Sequence, residues 1–137
     1  VIVMDCDLEF RSKKFIEIIK ETLAQPMEDA NGGALVSFES NEPRYSYAAL
    51  GEDGFVTRTA EKEVISNHAL CGAYFFSTGK RFKEIAHRLL SEPEFKKPEY
   101  YVSLLYNYLL ADGEKVCLAS MEEYYSYGTP EELKRYM

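Results

Sequence analysis

No stretch of about eighteen apolar residues occurs anywhere in the chain, so the sequence offers no helix able to cross a membrane. Basic charge is also scarce. Sixteen Lys and Arg stand against 23 Asp and Glu, for a formal net charge of −7. Without Lys/Arg clusters the chain lacks the electrostatic footprint that holds a phosphate backbone, which excludes nucleic acid as a partner. Cysteine is sparse as well: Cys6, Cys71 and Cys117 are odd in number and far apart. All three sit in apolar runs, which predicts small buried hydrophobes in a reducing, cytoplasmic setting. No Cys/His spacing suits zinc, and no glycine-rich loop follows a strand-like run.

What is present is apolar and aromatic: 46% of residues are hydrophobic, with 11 Tyr and 8 Phe. At 137 residues this is one domain's worth of chain, read as a single partial domain over 1–137. The chain opens with Val inside a strand-like run, and the expectation is that it is the later part of something longer. Such a piece would expose sheet edge and apolar core, and is expected to be poorly soluble or to associate, as in a homo-oligomer.

The first ten residues organise the rest. Val1-Ile2-Val3-Met4 is a short all-apolar run that predicts a strand buried on both faces, as in a parallel α/β sheet. It runs into Asp5-Cys6-Asp7, placing two carboxylates where the strand ends. Ligands of open α/β sheets bind at that end of their strands, and Mg²⁺ takes one or two carboxylates together with substrate phosphates. The plainer reading is a solvated turn, where Asp is common.

Apolar positions 15, 16, 18, 19 and 23 predict a helix capped by Ser12, followed by a loop over Gln25 to Gly33. Ala34 to Phe38 reads as an interior strand, making a βαβ unit with the first. Tyr45 to Leu50 and Phe55 to Thr59 flank Gly51-Glu52-Asp53-Gly54 as a hairpin. Ala69 to Phe76 is another buried strand, interrupted by Gly72 where a bulge or a close approach is expected. Helical spacing recurs over 82–90 and 101–109, and Lys115 to Ala119 is a short strand. Thr129, Pro130 and Glu132 form a capping box opening a terminal helix. His68 and His87 lack a placed acid–base partner in sequence and read as structural or exposed.

Asp5-Cys6-Asp7 after an apolar strand admits three chemistries. It resembles the Asp-x-Asp of haloacid-dehalogenase-like phosphatases, with Asp5 as nucleophile and Asp7 as acid/base. There Gly-Thr should follow, whereas Leu8-Glu9 follows here. It also resembles the Asp-x-Asp of metal-dependent glycosyltransferases, and the metal-binding aspartate of sugar nucleotidyltransferases. The remaining segments run in order: Tyr45-Ser46-Tyr47, Glu61-Lys62, Gly72-Ala73-Tyr74-Phe75, Tyr106-Asn107-Tyr108-Leu109-Leu110 and Gly128-Thr129-Pro130-Glu131-Glu132-Leu133. Together they resemble the sugar-binding part of the sugar-1-phosphate nucleotidyltransferases over nearly the whole chain.

That resemblance implies a fold and a chemistry. The fold would be a three-layer α/β arrangement of the glycosyltransferase-A type, with a mixed, mainly parallel sheet and flanking helices, here partial. The reaction would be Mg²⁺-dependent transfer of a nucleotidyl group from an NTP to a sugar 1-phosphate, or to a similar acceptor such as phosphocholine, releasing pyrophosphate for nucleotide-sugar synthesis. Asp7 would bind Mg²⁺, Glu61 would accept sugar hydroxyls, Lys62 would hold the sugar-linked phosphate, and the backbone of Gly72 would approach the sugar. Two departures matter. Ser126 stands where many members carry a second metal-binding Asp, and the Gly-Gly-x-Gly-x-Arg nucleotide loop is absent. The chain is therefore expected to be the acceptor half, inactive alone, or else a non-catalytic fragment that binds sugar phosphate or serves oligomerisation.

Overall fold

A computed structural model describes residues 1–137. In chain order the elements are β1 (Ile2–Met4), β2 (Leu8–Arg11), α1 (Lys13–Ala24), β3 (Gly33–Glu39), β4 (Ser46–Leu50), β5 (Val56–Glu61), β6 (His68–Phe76), α2 (Gly79–Leu90), α3 (Leu105–Ala111), β7 (Val116–Ser120), β8 (Glu123–Ser126) and α4 (Pro130–Lys134). A 3-10 turn over Val102–Leu104 leads into α3.

The main sheet follows the order β5-β4-β6-β3-β7, with β1 also on β6. Alternation along β3 and β6 divides its side chains between two cores, because successive residues of a strand face opposite sides. Leu35, Tyr74 and Phe76 pack with Ile85 of α2 and Tyr106 of α3. Ala34, Val36, Ala73 and Phe75 pack with Phe15 and Ile18 of α1. Helices therefore cover both faces of a mixed sheet, the expected three-layer α/β class. Tyr106 is fully buried, and its hydroxyl donates to the Phe75 carbonyl at 2.8 Å, so its polar end is satisfied.

The direction of the strands differs from expectation. Only β3 and β7 pair in parallel; β1, β3 and β4 all run antiparallel to β6. The apolar run of β6 had the character of a parallel core strand, but helices on both faces bury an antiparallel strand equally well. β1 and β3 still run the same way, with β6 lying between them.

β1 is not buried on both faces. Ile2 and Met4 are 56% and 53% exposed, and only Val3 is half-buried. The strand pairs with β6 along one edge only. Cys6 is likewise exposed, whereas Cys71 is buried and Cys117 half-buried, so one of the three cysteines departs from the buried reading.

One junction sets up the site. β3 pairs with β6 from Phe76 to His68, occupying one edge of β6 throughout. β1 takes the other edge at Ala73 to Phe75, and β4 takes it at Ala69. Between them lies Gly72, at φ 92°. The two strands part there, and the register of β3 against β6 shifts between Leu35 and Ser37. Such irregularities re-aim side chains and open space in a sheet.

The hairpin forms as expected: the Gly51 N–H donates to the Phe55 carbonyl, and Gly54 adopts φ 82°. The small antiparallel pair β2–β8 has no counterpart in the sequence reading; its register opposes Leu8 and Ser126. α4 carries the expected capping box. No helix is long and apolar enough to cross a membrane.

Candidate functional site

The fork between β1 and β4 opens into a cavity of about 200 Å³. Asp5, Asp7, Glu61, Gly72 and Ser126, singled out at scattered positions in the sequence, all line it. Asp5 and Asp7 arrive from the end of β1, Gly72 forms the wall, Glu61 comes from the end of β5, and Ser126 from the end of β8.

Gly72 and Asp5 are fitted to each other. The Asp5 N–H donates to the Gly72 carbonyl at 2.9 Å. A side chain on Gly72 would collide with the Asp5 carboxyl group and come within 2.9 Å of Leu8 Cδ2. Gly72 thus lets Asp5 approach the sheet. Burial, followed by the charges of Asp7 and Glu61, pushes the Asp5 carboxyl above the usual carboxylate range.

Asp7 is exposed, with its carbonyl accepting from the Tyr127 N–H at 2.8 Å. Its carboxylate lies over Gly128, where an added Cβ would stand 3.1 Å from Oδ2. Ser126 is not free: its hydroxyl donates to Oε2 of Glu132 at 2.9 Å. The same carboxylate accepts the Thr129 N–H in the capping box and pairs with Arg44 through Oε1 at 3.2 Å. The Ser126 hydroxyl and Arg44 hold Glu132 below its usual range.

Glu61 is only 7% exposed, and its Oε2 accepts from the hydroxyls of Ser46 and Ser103. Lys62 does not line the cavity. It is the only residue other than glycine with positive φ, 54°, and its ammonium sits 5.5 Å from the centre of the Tyr101 ring. Left-handed backbone at an ordinary residue is a strained conformation that recurs at functional sites. Lys97 reaches the Glu61 carbonyl at 3.4 Å. His68 and His87 both lie off the cavity.

Three lining residues stand out beyond those singled out by their chemistry. Arg44 is spanned by Glu42 and Glu132 and lies 4.6 Å over the Tyr45 ring. Tyr74 is buried, and its phenol is pushed well up by burial and by Asp5 and Glu61. Tyr124 stacks on Phe38 with ring centres 4.7 Å apart. Tyr45, Ser46 and Tyr74 fall within segments that carried the family resemblance, whereas Tyr124 belongs to β8, which no pattern announced.

No three His, Cys, Asp or Glu side chains come together as a metal cage. Asp5 and Asp7 are both exposed carboxylates on the lining, oxygen donors of the type that a hard cation such as Mg²⁺ takes together with phosphate oxygens. The mutual repulsion of Asp5, Asp7 and Glu61 is what a divalent cation would relieve.

Neither a protein-family model nor a curated protein sequence matches the chain. Among solved structures, the chain is similar to a nucleoside-diphosphate-sugar pyrophosphorylase from Vibrio cholerae. The two share 24% identity with a TM-score of 0.83, covering 98% of this chain and 54% of that one. It is also similar to a protein named as a glucose-1-phosphate thymidylyltransferase of Bacillus anthracis, solved with sucrose. Here the identity is 21% and the TM-score 0.69, covering 98% of this chain and 51% of that one. The chain therefore shares the fold of these two structures and spans about half the length of each.

Proposed function

We propose that this chain supplies the acceptor side of a sugar nucleotidyltransferase of the cytoplasm. The reaction is attack by a phosphate oxygen of a sugar 1-phosphate on the α-phosphate of an NTP, with pyrophosphate leaving. The observation that carries this reading is the convergence of Asp5, Asp7, Glu61, Gly72 and Ser126 on one cavity at the β1–β4 fork. Phosphoryl and nucleotidyl transfer require positioning and charge neutralisation more than covalent help. Asp7 would hold Mg²⁺, which supplies charge neutralisation at the phosphates. Glu61 orients a sugar hydroxyl, and Lys62, released from Tyr101, holds the sugar-linked phosphate as a point charge.

The carboxylates of Asp7 and Glu61 on the lining accept hydrogen bonds from sugar hydroxyls, whereas a choline phosphate acceptor would use the aromatic lining of Tyr45, Tyr74 and Tyr124. The phosphatase alternative is less well served, because Leu8-Glu9 stands where Gly-Thr should follow its Asp-x-Asp.

The test is titration of the full chain with α-D-glucose 1-phosphate, with and without Mg²⁺. Saturable binding that Mg²⁺ strengthens and Asp7→Asn abolishes is the expected result; no binding under either condition overturns the reading. Phosphate release from a model phosphoester, lost on Asp5→Asn, would assign the site to the phosphatase class.

A further inference from the structure

The side chain of Glu61 is a carboxylate more than nine-tenths buried, and no cation pairs with it. Two hydroxyls from different elements converge instead on a single one of its oxygens. Ser46 lies directly opposite Glu61 in the β4–β5 register and donates to Oε2. Ser103, fully buried in the 3-10 turn before α3, donates to the same oxygen at 3.1 Å. Ser103 is itself fixed, because its carbonyl accepts the Thr59 hydroxyl at 2.7 Å. Asn107 in turn grips the backbone of Thr59, accepting from its N–H and donating to its carbonyl.

The other oxygen has no protein partner. Every fully buried side-chain polar atom does have one, so Oε1 is the atom that Glu61 leaves open, and Glu61 lines the cavity. We propose that Ser103 and Ser46 are positioning residues that fix Glu61 with Oε1 toward the cavity as a pure hydrogen-bond acceptor. The site then selects ligands that bring a hydroxyl donor to that point.

A serine hydroxyl has one proton, and both protons here are committed to Oε2. A site built to receive a hydroxyl rejects analogues lacking one far more strongly than an apolar pocket rejects a missing methylene. The choice of a sugar phosphate as probe rests on the function proposed above; the positioning of Glu61 does not.

The experiment uses the full chain, isotopically labelled, with α-D-glucose 1-phosphate as probe. Ser103→Ala and Ser46→Ala are each expected to weaken binding about tenfold, the loss of one charge-assisted hydrogen bond. Ser46→Thr, which keeps the hydroxyl, returns the affinity to within about twofold of wild type on the same reasoning. In a Glu61→Gln background, Ser103→Ala is expected to change affinity by less than about twofold, since the effect passes through the carboxylate. Equal losses in both backgrounds overturn the inference.

If wild-type protein binds no glucose 1-phosphate, the nucleotidyltransferase reading fails, and the side-chain carboxyl ¹³C resonance of Glu61 judges the positioning separately. Displacement of that line by Ser103→Ala, with the amide spectrum otherwise in place, supports it; an unmoved line overturns it. Should Ser103→Ala not fold, Ser46→Ala gives the same readouts.

Discussion

Gly72 leaves vacant the space that the carboxyl group of Asp5 occupies: a Cβ on Gly72 would stand 3.0 Å from Asp5 Cγ and closer still to its oxygen. The same glycine has φ 92°, so two separate demands fall on one residue. Gly54 and Gly113 have similar φ, 82° and 80°, with no atom within 4 Å of an added Cβ. They isolate the backbone demand from the steric one. Gly54→Ala and Gly113→Ala are expected to cost about 1–2 kcal/mol each, the cost of left-handed backbone alone. Gly72→Ala should cost roughly 2–4 kcal/mol, since overpacking is added. Urea unfolding midpoints at constant m-value measure all three. Equal losses at the three positions would show that Asp5 yields freely and that the fit is incidental.

Asp5 should destabilise the fold at neutral pH. Its folded-state pKa lies above the ordinary 3.8 because of burial, followed by the charges of Asp7 and Glu61. The native state therefore holds this proton more tightly than the unfolded chain does. The stability contributed is fully present below pH 3.8 and is lost as pH rises through the folded value. Asp5→Asn removes the penalty, so it should raise the urea midpoint at pH 7, by an amount that shrinks toward acid. A midpoint lowered at pH 7 would mean that the charge is compensated.

Glu132 should behave in the opposite sense. The Ser126 hydroxyl, and then Arg44, hold its carboxyl below the ordinary 4.5. Its contribution is present above 4.5 and lost as pH falls through the folded value. Glu132→Gln should lower the midpoint at pH 7 and leave it little changed in strong acid. The same substitution frees the Ser126 hydroxyl and Arg44 beside Asp7, so Mg²⁺ dependence of glucose 1-phosphate binding should change with it. A pH-independent loss would assign Glu132 to helix capping alone.

Much of this arrangement is legible from local pattern. The Asp-Gly turn, the Thr129-Pro130-Glu132 cap and the alternation of β3 report on their own neighbourhoods, and each has a strong local cause. Strand direction was not legible, because an all-apolar strand such as β6 is compatible with either direction once helices cover both faces. The exposure of β1 was missed for a related reason: four apolar residues specify a strand, but not how many of its edges are paired. The site was partly legible, since Glu61 and Gly72 fall in ordered segments of a recognisable kind. Ser103 and Tyr124 were not, because nothing in the sequence brings the turn before α3 to Glu61 or β8 to Phe38. Those are long-range contacts made by the fold.

Asn107 tests how firmly that long-range contact is held. Its side-chain amide accepts from the Thr59 N–H at 2.9 Å and donates to the Thr59 carbonyl at 3.0 Å, filling the place of a neighbouring strand on β5. Asn107→Ala leaves both groups without a protein partner and should cost roughly 2–3 kcal/mol, about 1–1.5 per bond. Asn107→Asp keeps the acceptor and loses the donor, so it should fall between. Amide exchange of Thr59, protected in wild type, should accelerate in Asn107→Ala and stay slower in Asn107→Asp. Identical exchange in both variants would show that the 3-10 turn alone holds the edge.

Lys62 opposes stability to binding within one residue. Its backbone is left-handed at φ 54°, and its N–H donates to the Tyr45 carbonyl at 3.0 Å, which fixes that conformation at the end of β5. A glycine here relieves strain without loss of the hydrogen bond, so Lys62→Gly should raise stability by up to about 1 kcal/mol. Lys62→Met keeps the strain and removes only the charge, leaving the urea midpoint nearly unchanged. If Lys62 holds the phosphate, both variants must lose affinity for α-D-glucose 1-phosphate to the same degree, about tenfold or more for a charged contact. Comparing the two separates the roles, because backbone and ammonium are altered independently. Undiminished affinity in Lys62→Met would remove the phosphate role from Lys62 and leave its strained backbone serving only the turn out of β5.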